Sequence, residues 1–135
     1  MGRPLTEEQA ALFQAKNWGV VATLRPDGSA QSSTVWVDWD GECVVFNTTV
    51  GSAKERNLRR DPRATVTVMH QENPQAGWTA VSGRAELSER GAVEHLNGLS
   101  AKYVGLNPYP WLEPGERRVI VRVRPERVSG SGSGA

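Results

Sequence analysis

The sequence predicts a mainly β protein, a six-stranded antiparallel barrel with flanking helices, and three observations predict it. Six stretches carry the period-2 or β-branched apolar pattern of strands. Turn signals at Pro26-Asp27-Gly28 and Asp40-Gly41 join the first three into a meander. The remaining connections are short loops or short helices, and closing such a set into a barrel removes exposed strand edges.

Thr6 to Lys16 reads as a helix, with Thr6 and Gln9 at capping-box spacing and Gln9, Leu12 and Phe13 near one face. Trp18 to Leu24 (WGVVATL) is the first strand, and Ala30 to Trp39 (AQSSTVWVDW) returns as the second. Val44 to Thr48 is the third. It alternates Val44, Phe46 and Thr48 with Val45, Asn47 and Thr49, as a half-buried strand does. Gly51 breaks it, and Ser52 stands three residues before Glu55 to start a second helix, which ends before Pro62. Arg63 to His70 and Trp78 to Leu87 are strands four and five, separated by a polar loop. Gly83 in the latter marks a bulge or a close backbone approach. Ser88 is expected to cap a third helix reaching about Tyr103, weakened by Gly91 and Gly98. After the Pro-rich aromatic loop from Asn107 to Gly115, Arg117 to Arg124 is the sixth strand. Val119, Val121 and Val123 face in, and Pro125 stops it. A Greek-key return of this strand to the first hairpin is one route to closure. Residues 1–128 form one domain, and 129–135 read as a flexible Ser/Gly tail.

Sixteen Lys and Arg against 15 Asp and Glu leave a net charge of +1, which argues against a dedicated nucleic-acid binder despite the local run Arg56, Arg59, Arg60 and Arg63. The single Cys43 allows no internal disulfide. His70 and His95 lack metal-ligand spacing, so no metal is expected, and His95 reads as a surface residue. Without an apolar run near 18 residues or an apolar signal region, no membrane span and a cytoplasmic location are expected.

The second helix carries the strongest site signal. Lys54 and Arg56 lie in its first turn, where cations oppose the positive helix end, and an anion such as phosphate would reconcile them with it. Asn47 and Thr48 precede that turn and are placed to contact the same ligand. The polar run Gln31, Ser32, Ser33 and Thr34 is either a groove-lining segment or the wet face of an edge strand. Trp78, Tyr109 and Trp111 are core or interface aromatics, or cover a planar ring. There is no serine–histidine–acid order, paired carboxylate motif, Walker loop or GxGxxG, so in an enzyme a cofactor would carry the chemistry.

The run FNTTVGSAKERNLRRDPRATVTV resembles the phosphate-binding signature of the flavin/deazaflavin split-β-barrel superfamily, which includes the pyridoxamine-phosphate oxidases. VVATLRPDGSAQSSTVWVDWDG is similar to its opening hairpin and RVIVRVRPERV to its closing strand. The similarity spans Leu5 to Val128 and is strongest to the branch that uses coenzyme F420 rather than FMN. It implies a six-stranded split barrel with Greek-key topology, a homodimer, and an F420-dependent reductase acting on a small electron-poor molecule. An FMN enzyme and a non-catalytic F420 binder are the alternatives. The resemblance further implies Lys54 and Arg56 on the cofactor phosphate with Ser52, Ala53 and Asn57 beside them. It implies Asn47 and Thr48 along the ribityl chain, Gln31, Ser32, Ser33, Thr34 and Val35 along the ring, and Trp78 from the partner subunit near it. FMN-type members carry a basic pair in the second strand where this chain has SSTVWVD with Asp38, which favours the deazaflavin.

Overall fold

The computed structural model describes residues 4–131. Strands β1 (Trp18–Leu24), β2 (Ala30–Trp39) and β3 (Val44–Thr49) form the expected meander. β4 (Arg63–Met69) pairs with β1, and β5 (Trp78–Ser88) pairs with β4. β6 (Arg118–Val123) enters between β5 and β3, which closes a six-stranded antiparallel barrel. The return is therefore to the third strand of the meander, not to the first hairpin. Alternation explains the core: Val21, Val35, Val37, Phe46, Val66, Val68, Val81, Val119, Val121 and Val123 point inward from every strand, and each is buried.

Three helices close the barrel. α1 (Glu7–Gln14) has the predicted capping box at Thr6 and Gln9, and plugs one end with Phe13. α2 (Ala53–Arg60) begins at Ser52, whose Oγ accepts the Glu55 N–H. α3 (Ala92–Val104) packs over β2, β3 and β6. It covers the outward face of β3, so that strand is buried on both faces, not half-buried. Ser88 does not cap α3. It ends β5, and Gly91 at φ 74° makes the entry turn. Nor does a flexible tail begin at Ser129: β7 (Arg127–Gly130) adds to β5, so Ser129 and Gly130 are in a sheet. The remainder of the expected tail, 132–135, lies outside the described residues.

Gly83 is the close backbone approach that its position suggests. A Cβ there would sit 2.0 Å from the Arg124 carbonyl oxygen, where the chain turns from β6 into β7. At the C-terminal end of α3, the buried Tyr103 hydroxyl accepts the Val37 N–H and lies 2.7 Å from the Asn17 carbonyl oxygen. The Lys102 ammonium donates to the Phe13 and Val37 carbonyls. This end of α3 thus latches β2 to the segment following α1.

Candidate functional site: a cleft where the barrel splits

β2 and β3 pair only at Val37–Phe46, Asp38–Val45 and Trp39–Val44. From Trp36 back to Ala30, β2 is paired to β1 alone, so half of its main-chain N–H and C=O groups face away from any strand. The gap is a cleft of about 340 Å³. Thr34, Val35 and Trp36 form one wall and Asn47, Thr48 and Thr49 the other. Ser52, Lys54 and Arg118 close the polar end. Trp18, Tyr109, Leu96 and Leu99 supply aromatic and apolar surface.

The polar end is strongly constructed. Lys54 is half-buried, and its ammonium has no acceptor among the described residues. Burial, and then the nearby Arg118 guanidinium, push its pKa below the ordinary lysine value. Arg118 donates Nε–H to Asn47 Oδ1 at 2.8 Å and Nη1–H to Thr49 Oγ1 and Glu116. Thr48 Oγ1 and Ser52 Oγ lie 3.1 Å apart beside them. The helix start is not as open as its two cations suggest. The buried Glu55 carboxylate accepts from Gly51 N–H and from Arg59, so an internal anion already sits at the positive end of α2. A ligand anion here answers the unpaired Lys54 rather than the helix dipole.

At the other end, Trp36 stacks on Tyr103 with centroids 5.5 Å apart and planes 4° apart, and Trp18 meets both edge-on. Tyr109 lies edge-on to Trp36 and is held by its N–H bond to Asn97. These contacts hold Trp18, Trp36 and Tyr109 as the aromatic side of the cleft.

Of the residues singled out from the sequence, Thr34, Val35, Asn47, Thr48, Ser52 and Lys54 line this cleft. Gln31, Ser32 and Ser33 lie further along the same unpaired length of β2. The Ser33 Oγ is buried without a hydrogen-bond partner, while Gln31 accepts from Thr23. Ala53 is exposed at the start of α2. Arg56 is exposed and donates to the Gly51 carbonyl oxygen. Asn57 is buried at the barrel end, donating to Thr23 and accepting from Arg60, which ties α2 to β1. Trp78 stands exposed at the start of β5 and does not line the cleft of its own chain. Asp38 is not among the residues that line the cleft and takes Lys102 at 3.5 Å.

Sequence reasoning missed Arg118, Trp18 and Trp36 as cleft residues. Alternation with the inward valines does put Arg118 and Trp36 on outward faces, but which strands flank them depends on long-range pairing. His95 was also misread as a surface residue. Its Nδ1 lies 3.1 Å from Asn47 Nδ2, and its Nε2 is buried without a partner. Asn47 Oδ1 is committed to Arg118 and Asn47 Nδ2 to the Ala92 carbonyl, so His95 Nδ1 must accept and the neutral ring carries its proton on Nε2.

Residues 5–132 match the family described as pyridoxamine 5′-phosphate oxidase. The chain belongs to this family. Within it, the chain is 26% identical over 129 residues to the F420H2-dependent biliverdin reductase of Mycobacterium tuberculosis, covering 94% of this chain and 88% of that protein. A solved structure described as an F420 reductase superposes with a TM-score of 0.81 at 30% identity, covering 93% of this chain and 98% of the other. A putative pyridoxamine 5′-phosphate oxidase from Listeria innocua shares the fold, with a TM-score of 0.68 at 20% identity over 92% of this chain and 94% of that one. The split barrel expected from the sequence is thus the fold of a pyridoxamine 5′-phosphate oxidase family member.

Proposed function

We propose that this protein is an F420-dependent oxidoreductase that reduces a small, electron-poor organic molecule. The observation that carries the reading is the cleft itself, which joins an unpaired, half-buried Lys54 to the aromatic side chains of Trp18 and Trp36, set edge to face, through an unpaired strand edge. An elongated ligand with a planar ring at one end and a phosphate at the other suits that polarity. The relatives described as an F420 reductase and an F420H2-dependent biliverdin reductase support the deazaflavin.

When bound, reduced F420 would supply the hydride. The chain's own residues bind and orient. Lys54 neutralises the phosphate, with Ser52 and Thr48 as hydroxyl partners. Asn47 would line the ribityl chain, and the open edge of β2 around Thr34 and Val35 would offer the ring main-chain hydrogen bonds. Leu96, Leu99 and the aromatic side chains would keep water from the ring, so that an acceptor would meet it at close approach in a fixed orientation. A homodimer would complete the site. Trp18, Val20, Met69 and Trp78 leave an exposed apolar face on β1, β4 and β5, and Trp78 would reach the partner's ring from there.

Lys54→Ala is expected to weaken F420 binding by more than tenfold, from the loss of about 1.5–3 kcal/mol of charge-assisted hydrogen bonding. An unchanged dissociation constant would remove Lys54 from the site. The deciding experiment is a paired fluorescence titration with F420 and FMN, followed by acceptor turnover. Preferential FMN binding would assign the flavin cofactor that the family match keeps open. Tight F420 binding without turnover across electron-poor acceptors would make the protein a binder rather than a reductase.

A further inference from the structure

Arg118 is the only cleft residue whose charge is held in place from three sides. Its side chain is 11% exposed and makes an ion pair of 2.7 Å with Glu116, itself 13% exposed. Nε and Nη1 are committed to Asn47, Thr49 and Glu116, and the guanidinium carbon lies 5.9 Å over the Tyr109 ring. Nη2 has no acceptor among the described residues, and it is not enclosed by protein either. The guanidinium therefore presents two unused N–H donors from a locked fork at the end of the cleft where Lys54 also lacks an acceptor.

Two cations held together without an intervening anion repel each other, and nothing among the described residues compensates Lys54. Glu116 is turned to Arg118, Thr49 and the Glu113 N–H. Glu55, the other buried carboxylate nearby, is taken by Gly51 and Arg59. Arg56, the cation that the helix motif pairs with Lys54, is exposed, makes its hydrogen bond to the Gly51 carbonyl oxygen and does not line the cleft. Lysine supplies a mobile point charge, whereas a clamped arginine supplies a directed pair of donors. Together they suit the oxygens of a phosphate group.

We propose that Arg118, on the closing strand, is the second cation of the phosphate site and makes the cleft select phosphorylated cofactors over their phosphate-free cores. Glu116, Asn47 and Thr49 act as positioning residues that hold its fork. This rests on the cofactor reading above for the identity of the ligand, but the anion site stands on the geometry of Lys54 and Arg118.

The test is to titrate wild type, Arg118→Gln and Arg56→Gln with F420 and with its phosphate-free ring-and-ribitol core, and in parallel with FMN and riboflavin. Arg118→Gln is expected to weaken the phosphate-bearing ligand by about 10- to 100-fold while leaving the phosphate-free core nearly unaffected. Equal losses for both would mean that Arg118 only shapes the cleft, and would overturn the proposal. So would a selective loss in Arg56→Gln with none in Arg118→Gln. Because the single variant strands the buried Glu116 charge, the Arg118→Gln/Glu116→Gln double variant is included and is expected to show the same selective loss. If no ring ligand binds wild type, the cofactor reading fails on its own. Inorganic phosphate then decides the anion site through the side-chain nitrogen resonances of Arg118. A shift that disappears in Lys54→Gln supports it, and no shift overturns it.

Discussion

Single side chains in this protein divide into those that hold the cleft and those that face into it, and the phosphate-type motif contains both. Asp61 and Arg63, from the Asp-Pro-Arg run, form a fork in which the hydrogen bonds from Arg63 hold the carboxyl down to about 2. Asp61 also terminates α2 through its N–H bond to Asn57. Those residues, with Asn57, build the helix and do not line the cleft. Lys54 faces in. His95 is the most pH-sensitive of the holding residues. Burial pushes its imidazole below the ordinary range, against the attraction of Asp38 and Asp40. A proton on Nδ1 would also set it donor-to-donor against Asn47. With the folded-state pKa depressed, the unfolded chain takes up the proton first as the medium is acidified. The His95 contribution is therefore expected to be neutral above about pH 6.5 and destabilising as pH falls through that value. Denaturant midpoints across that range should fall less steeply in His95→Gln than in wild type. Equal slopes would show that the ring titrates freely in the fold.

At the scale of elements, glycine and helix placement set the shape of the site. Gly83 allows the β6–β7 turn to cross β5, and a methyl group there meets the main chain, which cannot swing aside as a side-chain tip can. Gly83→Ala is expected to cost about 1–3 kcal/mol in chemical denaturation, as overpacking does. A neutral result would mean that the turn relaxes. α3 explains why β3 is buried on both faces and why Asn47, a polar residue, is buried: its amide bridges Ala92 and His95 on the helix to Arg118 on β6. The period of β3 was readable, but the helix on its outer face was not, because that contact joins residues about 45 positions apart. The same limit hid the end of the chain. Ser129 and Gly130 have the composition of a linker, yet their register with Ala80 and Thr79 supplies a strand. Gly130 is required there because a Cβ would lie 2.6 Å from the Trp78 carbonyl oxygen.

The whole molecule leaves one sheet face unfinished. Across β2, β1, β4 and β5, the outward rows run Ser32–Ala22–Thr65–Ser82 and Thr34–Val20–Thr67–Ala80. These small side chains make a shallow surface bordered by Trp18, Met69 and Trp78, which are 46%, 44% and 39% exposed. A face of small side chains bordered by exposed aromatic and apolar residues suits a second copy, as the proposed homodimer requires. Sedimentation of the wild type is expected to give a dimer. Met69→Glu is expected to shift it to monomer and to weaken cofactor binding, because the partner's Trp78 would leave the site. A monomeric wild type that binds cofactor fully would remove the partner from the mechanism.

By itself, the sequence determined the class, the six strands of the barrel and the Ser52–Lys54 helix start, because side-chain period, turn residues and capping are local properties of a few consecutive positions. It also pointed to Lys54 and Arg56 together as cations that want an anion, and the structure leaves only Lys54 of the two without an acceptor among the described residues. The tertiary structure decided which strand closes the barrel, that β2 and β3 separate after three residue pairs, and that Arg118 rather than Arg56 stands with Lys54 in the gap. Those outcomes depend on pairing between segments some 70 residues apart, where every inward valine is nearly equivalent and only simultaneous packing of the whole core selects the register.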